Sequence, residues 1–157
     1  MTLTNLVLYL TVNLIETNAM TAKTFLDTNI VLYTIGQDTH KKTVARQLIA
    51  SSPMVSAQVI NESVNVCLKK FKFDKKQAYA FADTVMNKVN VLQVDEAVIR
   101  KSADLSMTHQ LSNWDALIVA AALLADCETL YSEDMQHGQL FEKSLKVINP
   151  FLQQPAP

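Results

Sequence analysis

The chain has 157 residues, enough for a single domain with a substantial core. A hydrophobic share of 49% and a charged share of 18% exclude a disordered chain. The net charge of −1 supplies no global attraction to nucleic acid, and the only glycines, Gly36 and Gly138, cannot form a P-loop or GxGxxG phosphate cradle.

Leu3 to Ile15 is apolar and rich in β-branched residues, yet shorter than the roughly 20 residues a membrane-spanning helix needs. No Lys or Arg precedes it, so it lacks the basic start of a secretory signal. Met20 stands directly before Thr21-Ala22-Lys23 and the first clear strand. Residues 1–20 are therefore expected to be an extension, as an over-long start would give. The domain itself is expected over residues 21–151. The tail is expected to fray from Pro150, with 152–157 outside the domain.

Lys23 to Asp27 reads as a buried strand followed by a helix from Thr28 to Ile35. His40 to Ser51 carries Val44, Leu48 and Ile49 at helical spacing. Pro53 to Ser56 is a brief strand, and Ser56 caps a helix from Ala57 to Lys70. Asp74 caps the next helix, through Asn87. Val89 to Val94 alternates with period two and forms the third strand. Asp95 caps a helix to Thr108, and Ser112 opens the most apolar helix, Trp114 to Ala125. Thr129 to Tyr131 and Leu145 to Asn149 supply the fourth and fifth strands. Short strands alternating with helices of ten residues or more imply parallel strands joined by crossovers, hence a three-layer α/β/α fold with a central parallel sheet.

Cys67 and Cys127 both fall in helical patterns, without CxxC or Cys/His ligand spacing. They read as buried free thiols in a reducing cytoplasm. Eight of the fourteen basic residues lie between Lys41 and Lys76. Such a stretch suits a phosphate backbone, although an ordinary solvated helix face has the same composition.

Four acids, Asp27, Glu62, Asp115 and Asp134, fall at strand ends or helix starts inside apolar segments, where an unpaired charge is costly. In open α/β sheets ligands bind outside the carboxyl ends of the strands. Asp27, Glu62 and Asp134 follow the first, second and fourth strands, and Asp115 joins them if its helix begins at the same edge. Each has a local alternative. Asp27 can cap the helix at Thr28, Asp115 can close a capping box with Ser112, and Asp134 can cap a turn, leaving Glu133 as the relevant acid. Glu62, among Val59, Ile60, Val64 and Val66, is harder to explain that way. Together the four suit a hard divalent cation, Mg²⁺ or Mn²⁺, and a metal-dependent nuclease. Thr28, Asn29 and Ser132 are candidates for orienting substrate or water.

Four segments resemble the PIN domain family, and within it the VapC-type ribonuclease toxins: Phe25-Leu26-Asp27-Thr28-Asn29-Ile30, Val59-Ile60-Asn61-Glu62, Asn113-Trp114-Asp115 with the apolar run to Ala122, and Leu130-Tyr131-Ser132-Glu133-Asp134 through Gly138. They occur in the family's order and, with the pattern between them, cover Thr21 to Phe151. The resemblance implies an α/β/α fold and a Mg²⁺- or Mn²⁺-dependent endoribonuclease. It also implies metal-ligand roles for Asp27, Glu62, Asp115 and Asp134, a homodimer, and a small antitoxin that neutralises it. An RNA-processing nuclease and a non-catalytic PIN module are the other readings within the family. A phosphatase or receiver domain using Asp27 as nucleophile fits less well: the phosphatase pattern needs Asp where Asn29 stands, and neither explains Glu62. His40, His109 and His137 read as surface or loop residues.

Overall fold

The helices begin where short polar side chains can satisfy the first free backbone N–H groups. In the computed structural model, which describes residues 22–152, Asp27, Asp38, Ser56, Asp74, Asp95 and Ser112 all occupy N-cap positions. Each accepts a hydrogen bond from a backbone N–H of its own helix. Three βαα units follow from this punctuation. β1 (Thr24–Leu26) leads to α1 (Thr28–Tyr33) and α2 (Thr39–Ala50). β2 (Met54–Ser56) leads to α3 (Ala57–Lys69) and α4 (Lys75–Met86). β3 (Asn90–Leu92) leads to α5 (Glu96–His109) and α6 (Asn113–Leu124), and the chain closes with β4 (Thr129–Tyr131), β5 (Leu140–Phe141) and β6 (Leu145–Ile148).

The strands form one sheet in the order β3-β2-β1-β4-β6-β5. All pairings are parallel except β5 with β6. The α/β architecture expected from the alternation is therefore present, with two differences. β5 was not anticipated, because two residues carry no alternation and the strand exists only through its antiparallel partner. Its approach turns at Gly138, whose φ of 81° suits a residue without Cβ and whose N–H donates to Val147 O at 2.8 Å. The third strand contracts from Val89–Val94 to Asn90–Leu92, since it is an edge strand paired only with β2.

Sheet residues Phe25, Leu26, Val55, Leu130, Phe141, Leu145 and Val147 are fully buried. Helices α1 to α4 pack among themselves and α5 packs on α6. Along α6 the buried run Ala120-Ala121-Ala122 keeps side chains short, which suits its close packing beside β2. Cys67 and Cys127 are buried and free. Among the described residues no helix is long and apolar enough to cross a membrane.

Past β6 the chain does not leave the surface at Pro150. Phe151 packs edge-on against Tyr33, with ring centroids 5.1 Å apart, so the chain is still docked on the fold at that residue. The proposed extension over residues 1–20 and the end of the tail, 153–157, lie outside the described residues.

Candidate active site

β1 sits where the chain reverses direction across the sheet, with β2 on one side and β4 on the other. Such a switch point opens a crevice at the carboxyl ends of the strands. Asp27 stands there as the residue after β1, and Ser132 as the residue after β4. α3 leaves the same edge and presents Glu62 in its second turn. α6 feeds the parallel strand β4 through a short turn, so it runs against the strands and starts at their carboxyl edge. That direction, undecided from the sequence, brings Asp115 to the others.

All four acids line one open groove of about 660 Å³, together with Gln58, Tyr79 and Trp114. A separate apolar hollow of about 370 Å³ beside Arg46, Ile49 and Phe81 contains none of the acids. The local alternatives prove compatible with groove-lining positions. Asp27 does cap α1, accepting from Thr28 N–H at 2.6 Å, and Ser112 does cap α6 through Asp115 N–H at 3.1 Å. Both acids still face the groove.

The three polar residues expected to position substrate or water each hydrogen-bond to a carboxylate. The Ser132 hydroxyl, fully buried, donates to Asp27 Oδ2 at 2.8 Å, and its oxygen accepts from the backbone N–H of Asp134 and Met135. The Thr28 hydroxyl donates to Glu62 Oε2 at 2.6 Å, and the Asn29 amide donates to Asp134. Gln58 was not anticipated. Its amide donates to Glu62 Oε1 at 3.1 Å, and i,i+4 spacing on an amphipathic helix was the available signal.

Glu133, the alternative to Asp134, is engaged elsewhere. The Lys41 ammonium and Tyr33 hydroxyl both bond to it and, against the opposing effect of burial, hold its carboxyl below the usual range. Lys41 also lies 4.6 Å from the centre of the Tyr33 ring. The histidines stay outside the groove: His109 packs edge-on against Phe141, and His137 Nδ1 accepts from Asn149 N–H at 3.0 Å.

Asp27 is electrostatically exceptional. Burial pushes its carboxyl up to about 6, the hydrogen bonds from Ser132 and Thr28 oppose this, and the charges of Asp134 and Asp115 raise it further. A raised folded-state value means that the folded protein binds the proton more tightly than the unfolded chain does. The associated stability is fully present below the unfolded value of 3.8 and is lost as pH rises through about 6. In EDTA, the Asp27 contribution to the melting temperature should therefore decline between pH 4 and pH 7. A rise attributable to Asp27 over that interval, measured against Asp27→Asn, would contradict its buried, repelled state.

The donor set is entirely hard oxygen, which matches Mg²⁺ or Mn²⁺ rather than a thiophilic metal. Among the described residues no three acidic, histidine or cysteine side chains converge tightly enough to enclose a cation. Mg²⁺ needs no such cage, since it is held through one or two carboxylates and keeps several waters. A buried Asp27 carboxyl repelled by two neighbouring acids is the group that a cation would most relieve.

Residues 24–140 match the PIN domain family. The chain belongs to that family. No curated protein matches the sequence. Among solved structures, this PIN domain is similar to the Mycobacterium tuberculosis VapC20 sarcin-ricin loop cleaving toxin at 20% identity, covering 71% of this chain and 90% of that one with a TM-score of 0.60. A toxin–antitoxin complex from Klebsiella pneumoniae matches at 20% identity over 82% of this chain and 98% of that one, TM-score 0.61. FitAcB from Neisseria gonorrhoeae matches at 20% identity, with coverages of 81% and 97% and a TM-score of 0.61. At this identity the likeness establishes the shared fold of the PIN domain.

Proposed function

We propose that this PIN domain is a Mg²⁺- or Mn²⁺-dependent endoribonuclease acting in the cytoplasm as the toxin of a toxin–antitoxin pair. The observation that carries the reading is the lining of one groove, at the sheet's switch point, by Asp27, Glu62, Asp115 and Asp134. Similar structures that include a toxin and a toxin–antitoxin complex support the biological role, with a small antitoxin and a second copy of the chain as partners.

The four acids are the residues that would hold the metal. When bound, it supplies an activated water and neutralises charge developing on the phosphodiester. The chain's own contribution is to fix the carboxylates beforehand. Ser132 holds Asp27, Thr28 and Gln58 hold Glu62, and Asn29 holds Asp134. Such prior orientation spares reorganisation when substrate arrives.

The test is to incubate purified protein with single-stranded and structured RNA in Mn²⁺, Mg²⁺ or EDTA, alongside Asp115→Asn. Cleavage should require the divalent ion and fall roughly a hundred- to a thousand-fold in the variant. Folded protein that binds metal but cuts no RNA would favour the non-catalytic module. Undiminished cleavage by the variant would remove Asp115 from the site.

A further inference from the structure

The groove has a second half that the four acids do not use. It continues along α3 past Asn65 and Val66 to Leu68, with Tyr79 of α4 and Trp114 of α6 in its walls. Both aromatic side chains are wide open, at 61% and 57% exposure, and both line this one groove. Beyond Leu68 the chain reads Lys69, Lys70, Phe71, Lys72, Phe73, Asp74, Lys75, Lys76. All five lysines are exposed and none forms an ion pair among the described residues, while Asp74, the lone acid there, is occupied in capping α4.

Helix geometry ties these lysines to the groove. Lys69 follows the groove residues Asn65 and Val66 at i+4 and i+3, and Lys75 and Lys76 precede Tyr79 at i−4 and i−3. The cations therefore share faces with the groove wall. From Glu62 to Lys69 the distance along α3 is about 10 Å, enough to separate a reacting phosphate from the next backbone contacts.

Resting on the ribonuclease reading above, we infer that this half is a subsite for unpaired RNA, in which Tyr79 and Trp114 stack exposed bases while Lys69, Lys75 and Lys76 hold the flanking phosphates. Open aromatic faces beside a basic track are what a single strand requires. A duplex keeps its bases stacked inside and offers them nothing. Charge selects the occupant: a polyanion matches the lysine end, and the acid end receives it only at the point where a cation intervenes. The subsite thus selects for loops, bulges or ends over regular helices.

Trp114 is the only tryptophan in the sequence, so its fluorescence reports on this wall alone. The full chain, in EDTA to prevent cutting, is titrated with an oligouridylate of roughly ten nucleotides and with the matching abasic ribose-phosphate strand. The oligouridylate should quench Trp114 and the abasic strand should not. By anisotropy of labelled RNA, Tyr79→Ala and Trp114→Ala should each weaken binding roughly five- to a hundred-fold. Their exposure keeps both variants folded, which a melting curve checks. The double variant Lys75→Gln/Lys76→Gln should lower the slope of log affinity against log salt by roughly 1.4, two single-strand phosphate contacts. Wild-type affinity and slope in all three, from protein that still cuts RNA in Mn²⁺, would overturn the subsite, leave the nuclease standing and free this face for a protein partner. Wild-type protein that neither binds nor cuts any RNA would overturn both.

Discussion

Asp27→Asn should melt at a higher temperature than the wild type at pH 8 in EDTA, yet lose RNA cleavage by roughly a hundred- to a thousand-fold. The two halves have one cause. In the folded protein the Asp27 carboxyl titrates near 6 instead of 3.8, chiefly because it is buried, so at pH 8 the fold carries a charge it would rather not hold. A shift of about two units corresponds to about 3 kcal/mol at most. Asparagine removes the charge and keeps the local structure. Its carbonyl can still accept from Thr28 N–H, and asparagine caps helices as well as aspartate does; the one bond given up is that from the Ser132 hydroxyl, whose oxygen keeps the Asp134 and Met135 N–H groups. A divalent cation should raise the melting temperature of the wild type and do so less in the variant. A variant that melts below the wild type in EDTA would mean that the charge is stabilised in the fold and that Asp27 is not the strained member of the cluster.

Phe25→Ala should have the largest effect on stability. Phe25 lies at the centre of β1, fully buried, in register with Met54 on one side and Leu130 on the other. Truncation at such a site costs about 3–5 kcal/mol, out of a total that for domains of this kind is about 5–15 kcal/mol. The melting temperature should fall by roughly 6–20 °C. Met107→Ala, at a position 74% exposed, should stay within about 0.5 kcal/mol of the wild type. Equal effects from the two would mean that β1 is not the organising strand. Asp27 follows Phe25 by two residues, so the variant should also lose cleavage as it approaches its transition.

What could be read from the sequence was whatever the chain specifies locally. The caps at Asp27, Ser56, Asp74, Asp95 and Ser112 use a side chain and a backbone within three residues of each other, and all five stand where expected. Most helix spans follow from them. Features decided by distant partners were less legible. β5 owes its existence to β6, and the true extent of β3 is set by how much of β2 remains to pair with it. That Asp134 rather than Glu133 lines the groove goes with Lys41 and Tyr33, about a hundred residues earlier, which bond to the other acid. Thr28, Asn29 and Ser132 stood out in the sequence as polar neighbours of the acids, but not as partners of particular carboxylates, because each hydroxyl or amide finds its acid only in three dimensions. Tyr79 carries no motif and joins the groove only because α4 packs on α3.

The hydrogen bond from Ser132 to Asp27 joins groups 105 residues apart. Translation proceeds at roughly 5–20 residues per second, so roughly 5–20 s separate the emergence of the two. During that interval a nascent chain can form its early helices and pair β1 with β2. It has neither β4 to flank β1 nor the serine that orients the aspartate, and Asp134 has not been made. Parallel pairing over so long a loop is also intrinsically slow to close. Whatever chemistry the groove performs is thus withheld until β4, Ser132 and Asp134 have been made and β4 has closed on β1.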